Sequence, residues 1–320
     1  MARSPELLNA YAVCTRHLRG LRRPAIAWDL GIPDPDRERA FHAVYYSLAV
    51  SGPACLPKPW GKSHSQALAV TQLQRWLETA EAAHAGTPGA SPEAIALADA
   101  MHRFSLPMEP WRKVERGLAA IAGRVPMYDL SDLVVRARSL GSAPASAYFR
   151  LIAARQGTRR YCMAPGLDAE ELSHDLGVFC YVVEVMRSVM QLDIHGQAAT
   201  LLPLEVIDRH NLDRLEIAGY RNNREAPQKF FEMMNDLASM ARRFYQSTLI
   251  KITQSAAQLP PEAMVTFDRY LAHPLSLLRT MQSERFSPVG LAVGYPARII
   301  GTVSEPSDGS SELPHADGRA

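Results

Sequence analysis

Apolar residues recur at steps of three and four along nearly the whole chain, and no segment sustains an alternation of β-branched and polar residues. A period of three to four places apolar side chains on one face of an α-helix, whereas a half-buried strand needs a period of two. The pattern therefore predicts an all-α fold. The predicted helices span residues 5–18, 36–51, 63–80, 91–104, 108–122, 130–140, 144–156, 168–195, 226–257 and 261–283.

Proline and glycine are concentrated between these helices, in segments such as GIPDP, SGPACLPKPWG and HAGTPGASP. Such residues interrupt the helical hydrogen-bond ladder and mark loops. Asp36, Ser63 and Ser91 stand where helices are predicted to begin, and each can accept a bond from a free first-turn amide. We predict one helical domain over residues 1–302. Residues 303–320 are polar and rich in Ser, Pro and Gly, which predicts a disordered tail.

The composition is that of an ordinary globular protein. Of 320 residues, 47% are apolar, and 35 Lys and Arg are balanced by 33 Asp and Glu without a basic run, which argues against nucleic-acid binding. The start of the chain lacks the apolar stretch of a signal peptide, and no stretch approaches the roughly 18 apolar residues of a membrane-spanning helix. We therefore expect a cytoplasmic protein without an integral membrane segment. The oligomeric state is left open.

The four cysteines are far apart, and none has the Cys or His spacing of a zinc site. In a reducing compartment such residues are expected to be free, buried thiols. They are Cys14, Cys55, Cys162 and Cys180.

A polar stripe crosses the apolar helix predicted at 168–195. Glu184, Ser188, Gln191 and His195 follow at i, i+4, i+7 and i+11, which puts them on one face, with Arg187 at its edge. Such a stripe is either the solvent-exposed face of a surface helix or the lining of a polar cavity.

The segment DLGVFCYVVEVMRSVMQLDIHGQAATLLPLEVIDRHNL resembles the second signature of squalene and phytoene synthases. In that signature a helix of the form LG-x-x-x-Q-x-x-N-I-x-R-D-x-x-E-D is followed by a Gly and a Leu-Pro. AYAVC, RAFHAVYYSLAVSG and LPMEPWRKVERGLAAI also resemble segments of that family, and the likeness covers most of residues 9–282. The matching residues of the second signature are Leu176, Gly177, Arg187, Gly196, Leu202 and Pro203.

The resemblance implies a single-domain isoprenoid-synthase bundle whose central cavity binds allylic diphosphates. Two facing acidic motifs hold magnesium ions there, because ionising the C–O bond requires that the developing charge be absorbed. This chain departs from both motifs. The first is replaced by a stretch containing Ser51, Gly52, Pro53 and Leu56, and the second retains only the arginine, Arg187. Magnesium binding is therefore left open at a degenerate site, and no metal ligand is assigned.

Carried over residue by residue, the resemblance implies a set of site residues. Glu184, Arg187 and His195 are the candidate catalytic groups. Because few acidic residues remain to hold magnesium, arginines should make more of the contacts to the diphosphate. Aromatic faces can stabilise the allylic cation. The candidate substrate-binding residues are Arg22, Arg23, Tyr45, Ala49, Arg136, Tyr148, Ser188 and Gln191.

The departures also suggest a reaction. A head-to-head synthase must bind two diphosphates and their metal ions. This chain lacks one of the two acidic motifs, and with it the metal ligands that a second diphosphate needs. We therefore expect a squalene-synthase-like aromatic prenyltransferase of secondary metabolism. It would transfer a short allylic group, which we expect to be dimethylallyl, to an aromatic acceptor such as a carbazole or an indole. Two alternatives stand beside it: a head-to-head synthase with an unusual metal site, and a non-catalytic relative that acts in assembly or binding.

Overall fold

A computed structural model of the chain is 78% helical with almost no strand, so the predicted all-α fold is confirmed. It is the isoprenoid-synthase bundle that the resemblance implied. The structure describes residues 4–20, 30–56, 66–158, 160–191, 201–220 and 226–287.

The described helices follow the chain from α1 to α13. They are joined by π-helical segments at Tyr46–Ser51 and Arg138–Ser142, by a 3-10 turn at Ala256–Gln258, and by one antiparallel hairpin of β1 (Arg155–Gln156) and β2 (Tyr161–Cys162). The helices are α1 Pro5–Gly20, α2 Pro35–Tyr45, α3 Gly52–Ala54, α4 Gln66–His84, α5 Pro92–Arg103, α6 Glu109–Ala122, α7 Leu130–Ala137, α8 Ala143–Ala153, α9 Ala169–Gln191, α10 Leu204–Arg209, α11 Arg214–Gly219, α12 Gln228–Ser255 and α13 Pro261–Ser283.

Several predicted boundaries need correction. The helix predicted at 144–156 ends at Ala153, because the chain turns there into the β1–β2 hairpin. The helix predicted at 130–140 changes at residue 138 to π-helical geometry and runs on into α8. The helices α10 and α11 were not predicted, since six residues are too few to show a helical period.

The helix starts follow ordinary capping chemistry. Ser91 caps α5 as predicted, since its hydroxyl accepts a bond from the Ala94 amide at 3.2 Å. At α2 the cap is Asp34 and not Asp36, because the Asp34 carboxylate accepts the Asp36 amide at 2.9 Å while Pro35 occupies the first turn. Ser63 lies outside the described residues.

Helix α9 lies at the centre of the bundle, packed against α8, α12 and α13. It meets the chain of α7 and α8 at a glycine pair: a Cβ on Gly141 would lie 2.2 Å from the carbonyl oxygen of Gly177. The Ser142 hydroxyl donates to the His174 carbonyl at 2.6 Å beside this contact. Because the backbones touch, the rotation of α9 about its own axis is fixed, which decides where its polar face points.

One large hydrophobic cluster extends from Leu18 to Phe286. The division predicted at residue 302 stays a prediction, since residues 288–320 lie outside the described ranges. No described helix combines the length and the apolar character that crossing a bilayer demands.

The cysteines are free, as predicted, but they are not all buried. Cys14 is buried, Cys55 and Cys180 are half-buried, and Cys162 is exposed. Cys162 ends in solvent because it lies in the short strand β2, whose two residues alternate between a buried Tyr161 and an outward position.

Candidate active site

One face of α9 carries polar side chains into the bundle. The side chains of Glu184 and Arg187 are 28% and 9% exposed, and Ser188 is 1% exposed. Arg187 and Ser188 are therefore buried in the bundle, and Glu184 between them and Cys180 is half-buried. The side chain of Gln191 and the whole of His195 lie outside what the structure describes.

Glu184 and Arg187 form an ion pair, one turn apart on this face. A guanidinium is a planar fork of N–H donors that matches phosphate and carboxylate oxygens. Glu184 holds that fork in a fixed orientation at a buried position. A fixed, buried fork is what a diphosphate-binding arginine requires.

An aromatic wall, formed by Tyr45, Tyr148, Tyr270 and Cys180, lies beside the ion pair. Cys180 is one turn before Glu184, and its thiol is hydrogen-bonded with the hydroxyl of Tyr270 from α13. The ring of Tyr148 lies 6.4 Å from that of Tyr270 and 5.6 Å from that of Tyr45, between centroids. The Tyr148 hydroxyl is buried and has no hydrogen-bond partner in the described parts of the chain. The wall is thus largely apolar, with one unsatisfied hydroxyl.

Burial keeps the wall uncharged. It raises the pKa of the Cys180 thiol to about 12, and the nearby Glu184 carboxylate adds to that rise. Burial also raises the pKa of Tyr148 and of Tyr270 well above the ordinary value for a tyrosine. Neutral aromatic faces can attract an allylic cation without introducing a competing anion.

His273 of α13 reaches the same region. Burial, followed by the positive charge of Arg187, lowers its pKa below the ordinary value of 6.5. Its imidazole is therefore neutral at neutral pH and can accept a proton. Sequence reasoning missed His273, Tyr270 and Cys180, because α13 and α9 are brought together only by the fold.

The other predicted wall residues divide into lining and core. Tyr45 and Tyr148 belong to the aromatic wall, and Ala49 is half-buried one turn beyond Tyr45. Phe149, one residue after Tyr148, is ordinary core: it stacks on Phe267 with ring centroids 4.6 Å apart.

The segment aligned with the first acidic motif is built from small and aromatic residues. The π-helical stretch Tyr46–Ser51 continues into Gly52, where a Cβ would lie 2.9 Å from the Trp76 ring. The Trp76 indole donates to the Ser47 carbonyl at 3.2 Å, and the Trp111 indole donates to the Ser47 hydroxyl at 3.0 Å. Glycine is needed at position 52 so that the Trp76 ring can approach, which leaves no space there for a carboxylate.

The predicted arginines do not come together in the described structure. Arg136 is buried on α7, and its guanidinium donates to the Val125 carbonyl at 2.8 Å. It lines a pocket of about 850 Å³ between α6, α7 and the start of α9, and neither Glu184 nor Arg187 is among the described residues of that lining. Arg22 and Arg23 lie outside the described residues.

Residues 61–282, more than half of the chain, match the squalene/phytoene synthase family. The chain belongs to that family. A comparison with curated proteins finds no match.

Solved structures of low identity share the fold of this squalene/phytoene synthase family member. A dehydrosqualene synthase in complex with ligand is 11% identical with a TM-score of 0.69, and the match covers 88% of this chain and 89% of that one. Squalene synthase HpnC from Alicyclobacillus acidocaldarius is 15% identical with a TM-score of 0.68, over 89% and 98% of the two chains. YisP from Bacillus subtilis subsp. subtilis strain 168 is 16% identical with a TM-score of 0.50, over 89% and 92%. At these identities the likeness shows the fold alone.

Squalene/phytoene synthases are typically magnesium-dependent, which makes the donor set of this member informative. Magnesium takes six oxygen ligands and is usually held by one or two carboxylates together with substrate phosphates. Among the described residues, no three of His, Cys, Asp and Glu gather as a metal would require. The carboxylate of Glu184 is already paired with Arg187. The described residues therefore do not fit the two-sided magnesium site of the family.

Proposed function

We propose that this protein transfers one short allylic group from its diphosphate to an aromatic acceptor. The observation that carries the proposal is the pair formed by the buried Arg187 and the half-buried Glu184 beside a neutral aromatic wall, together with the close packing of Trp76 on Gly52, which leaves no room there for a carboxylate. One anion-binding side and one apolar side suit one diphosphate and one uncharged partner.

The proposed reaction uses these groups in order. Arg187 binds the diphosphate and balances the negative charge that grows on it as the allylic C–O bond breaks. Tyr45, Tyr148 and Tyr270 face the resulting cation, each worth about 0.5 to 2 kcal/mol. A ring carbon of the acceptor forms the new C–C bond, and loss of its proton restores the aromatic ring.

The proton of the ring carbon needs an acceptor. The groups that could take it are Glu184, His195, the released diphosphate and His273. Of the two described side chains, Glu184 is engaged by Arg187, whereas His273 is neutral because of its burial and the adjacent guanidinium. His273 is therefore our candidate base.

The test is incubation of the purified chain with dimethylallyl diphosphate and a panel of hydroxycarbazoles and hydroxyindoles, with and without magnesium. Mass spectrometry should detect an acceptor that has gained one prenyl unit. The variant Arg187→Met should lose this product, while Arg112→Met, an exposed arginine on α6, should retain it. Absence of any prenylated acceptor across the panel would refute the proposal.

A second candidate is a head-to-head synthase, which family membership itself favours. It predicts a squalene- or phytoene-type hydrocarbon from farnesyl or geranylgeranyl diphosphate alone. The same purified protein should be offered both, without acceptor. A hydrocarbon product would establish this second candidate, and no turnover with any diphosphate would instead favour a binding or assembly role.

A further inference from the structure

A pocket of about 850 Å³ opens between α6, α7 and the start of α9. We call it the Arg136 pocket, after the buried arginine in its wall. The start of α8 and Lys251 of α12 also contribute to the described lining, which contains neither Glu184 nor Arg187. The volume lies near the upper end of ordinary small-molecule sites, so a whole organic molecule can fit there.

Most of the cations around the Arg136 pocket are already paired with carboxylates. Three of them form ion pairs at 2.7 to 3.1 Å: Lys113 with Glu170, Arg116 with Glu109, and Lys251 with Asp175. Among the described lysines and arginines of the lining, that leaves Arg136 and Arg138 without a carboxylate partner. Arg138 is exposed, so water solvates its charge. Arg136 is the cation that needs an explanation.

The carboxylates of the lining are satisfied in a similar way. Asp132 accepts the Tyr128 amide at 2.7 Å, and Asp168 accepts the Glu170 amide at 2.8 Å in the first turn of α9. The Glu170 carboxylate belongs to one of the ion pairs. Glu171 is exposed, so solvent and salt screen its charge. An anion inside the pocket would therefore meet little unbalanced negative charge.

The Arg136 guanidinium is buried and has no counter-ion among the described residues. The residue is 8% exposed, and its guanidinium donates to the Val125 carbonyl at 2.8 Å. None of its nitrogen atoms is both buried and unsatisfied, so the N–H groups that remain face the pocket. A buried charge is costly unless it is paired and hydrogen-bonded. The pocket thus offers a fixed guanidinium to an anion that comes from outside the chain.

Other parts of the wall are apolar. Val125, Pro126, Met127 and Val135 supply hydrophobic surface. Val125 and Val135 are 52% and 57% exposed, so this surface continues to the mouth of the pocket. A ligand that fills the pocket therefore needs an apolar body as well as an anionic group.

We propose that the Arg136 pocket binds an organic monocarboxylate with an apolar body, whose carboxylate is held by the Arg136 guanidinium. The planar fork of a guanidinium matches the two oxygens of a carboxylate. One buried cation balances one negative charge, which favours a monoanion over a phosphate dianion. The inference goes beyond the proposed function and does not depend on it, because the described lining excludes the Glu184–Arg187 pair.

Isothermal titration calorimetry of the full chain at neutral pH tests the inference with four probes. The probe 2-naphthoate has the proposed anionic group and apolar body, and 2-naphthamide lacks the charge. The probe 2-naphthyl phosphate carries a second charge, and acetate lacks the apolar body. The proteins are the wild type, Arg136→Met, Arg136→Lys, Arg187→Met and the control Arg112→Met, an exposed arginine outside the described lining.

We expect the wild type to bind 2-naphthoate, and Arg136→Met to weaken this binding about tenfold, as the loss of a charge-assisted hydrogen bond would do. Arg136→Lys should fall between the two, because it keeps the charge and loses the fork. Arg187→Met and Arg112→Met should stay within about twofold of wild type. The amide and acetate should each bind at least about tenfold more weakly than 2-naphthoate.

A second variant and a second readout guard against a folding defect at position 136. Val135→Trp adds a bulky ring at an exposed position on the mouth of the pocket and should weaken 2-naphthoate about tenfold. A ligand stabilises the folded state that binds it, so 2-naphthoate should raise the thermal midpoint of the wild type and of Arg187→Met. The midpoint of Arg136→Met should stay nearly unchanged when the probe is added.

Three results would overturn the inference. They are no binding of 2-naphthoate to the wild type, equal binding by the wild type and folded Arg136→Met, and loss of binding in Arg187→Met instead, which would place the probe at the candidate active site. Tighter binding of 2-naphthyl phosphate than of 2-naphthoate would contradict the choice of a monocarboxylate.

Discussion

His273 shows how a single residue acquires chemical meaning from its neighbours. On its own it is one histidine in an apolar helix that ends the described bundle. In the fold it is half-buried and faces Arg187, and both effects disfavour its protonated form. Ser188 is likewise buried, and its hydroxyl has no partner within the described residues. Such unsatisfied or neutralised groups gather at sites that receive a ligand.

The lowered pKa of His273 predicts a pH profile. A base works while it is unprotonated, so a lowered pKa extends activity toward acid. We expect prenyl transfer to remain level down to about pH 6.5 and to decline only below it. His273→Gln should reduce kcat about 100-fold and remove the decline of activity at acid pH. Its affinity for a non-ionising thiolo analogue of dimethylallyl diphosphate should be unchanged. Stopped-time assays across pH 5 to 8 measure this, and an unaltered kcat with an unaltered decline would exclude His273 as the base.

At the scale of elements, α9 is positioned by two contacts that follow His174. The Gly177 backbone meets Gly141. Asp175 accepts bonds from Ser247 at 2.6 Å and from Lys251 at 2.7 Å, both on α12. Together these contacts set the rotation that turns Glu184 and Arg187 into the bundle.

The Asp175 cluster should contribute to stability in a pH-dependent way. Burial acts to raise the Asp175 pKa, but the bonds from Lys251, Ser247 and His174 outweigh it and lower the pKa to about 2. Because the folded pKa lies below the ordinary value of 3.8, the contribution is complete above that pH and is lost as the pH falls toward 2.

We expect Asp175→Asn to lower the free energy of unfolding by about 1 to 2 kcal/mol at pH 7 and by much less near pH 2. Lys229→Met, a lysine on the exposed side of α12, is the matched control and should change it by less than about 0.5 kcal/mol. Urea unfolding at both pH values measures the difference. Equal destabilisation at the two pH values would contradict the linkage.

The glycine contact makes a separate prediction. Gly177→Ala would place a Cβ 2.2 Å from the backbone of Ser142, so the helices must move apart, at a cost of about 1 to 3 kcal/mol. Gly219→Ala in α11 meets nothing within 4 Å and should be neutral or slightly stabilising. Thermal unfolding of the two variants compares them, and a Gly177→Ala protein as stable as wild type would show that the contact is dispensable.

The sequence predicts some elements of this fold much better than others. It predicted the helix at 261–283 with the bounds that the structure has, because a long amphipathic period ended by clear breaks is a strong local signal. It missed α10 and α11, which are too short to show a period, and the π-helical segments, which depend on packing against α9 and Trp76. It identified Glu184 and Arg187 from one helix face. The wall from Tyr148 to Tyr270 joins residues 122 positions apart, so no local pattern could reveal it.

At the scale of the whole molecule, the chain has a squalene/phytoene synthase fold with the Glu184–Arg187 pair on its central helix, and we propose that it binds one diphosphate instead of two. The fold likeness extends over 88% to 89% of this chain in structures whose identity to it is at most 16%, so the bundle tolerates wide change in the residues it carries. In this chain Trp76 packs over Gly52 where the resemblance places the first acidic motif. The two halves of the site thus differ in polarity, which is why we assign them different substrates.

The number of diphosphates that the protein binds tests this account most directly. Native mass spectrometry of the full chain with a saturating thiolo analogue of dimethylallyl or farnesyl diphosphate gives that number, with Arg187→Met as the control for specific binding. We predict one bound analogue per chain in the wild type and none in Arg187→Met. Two analogues bound per chain would contradict the account, because the second anion would occupy the side that we assign to an uncharged aromatic acceptor.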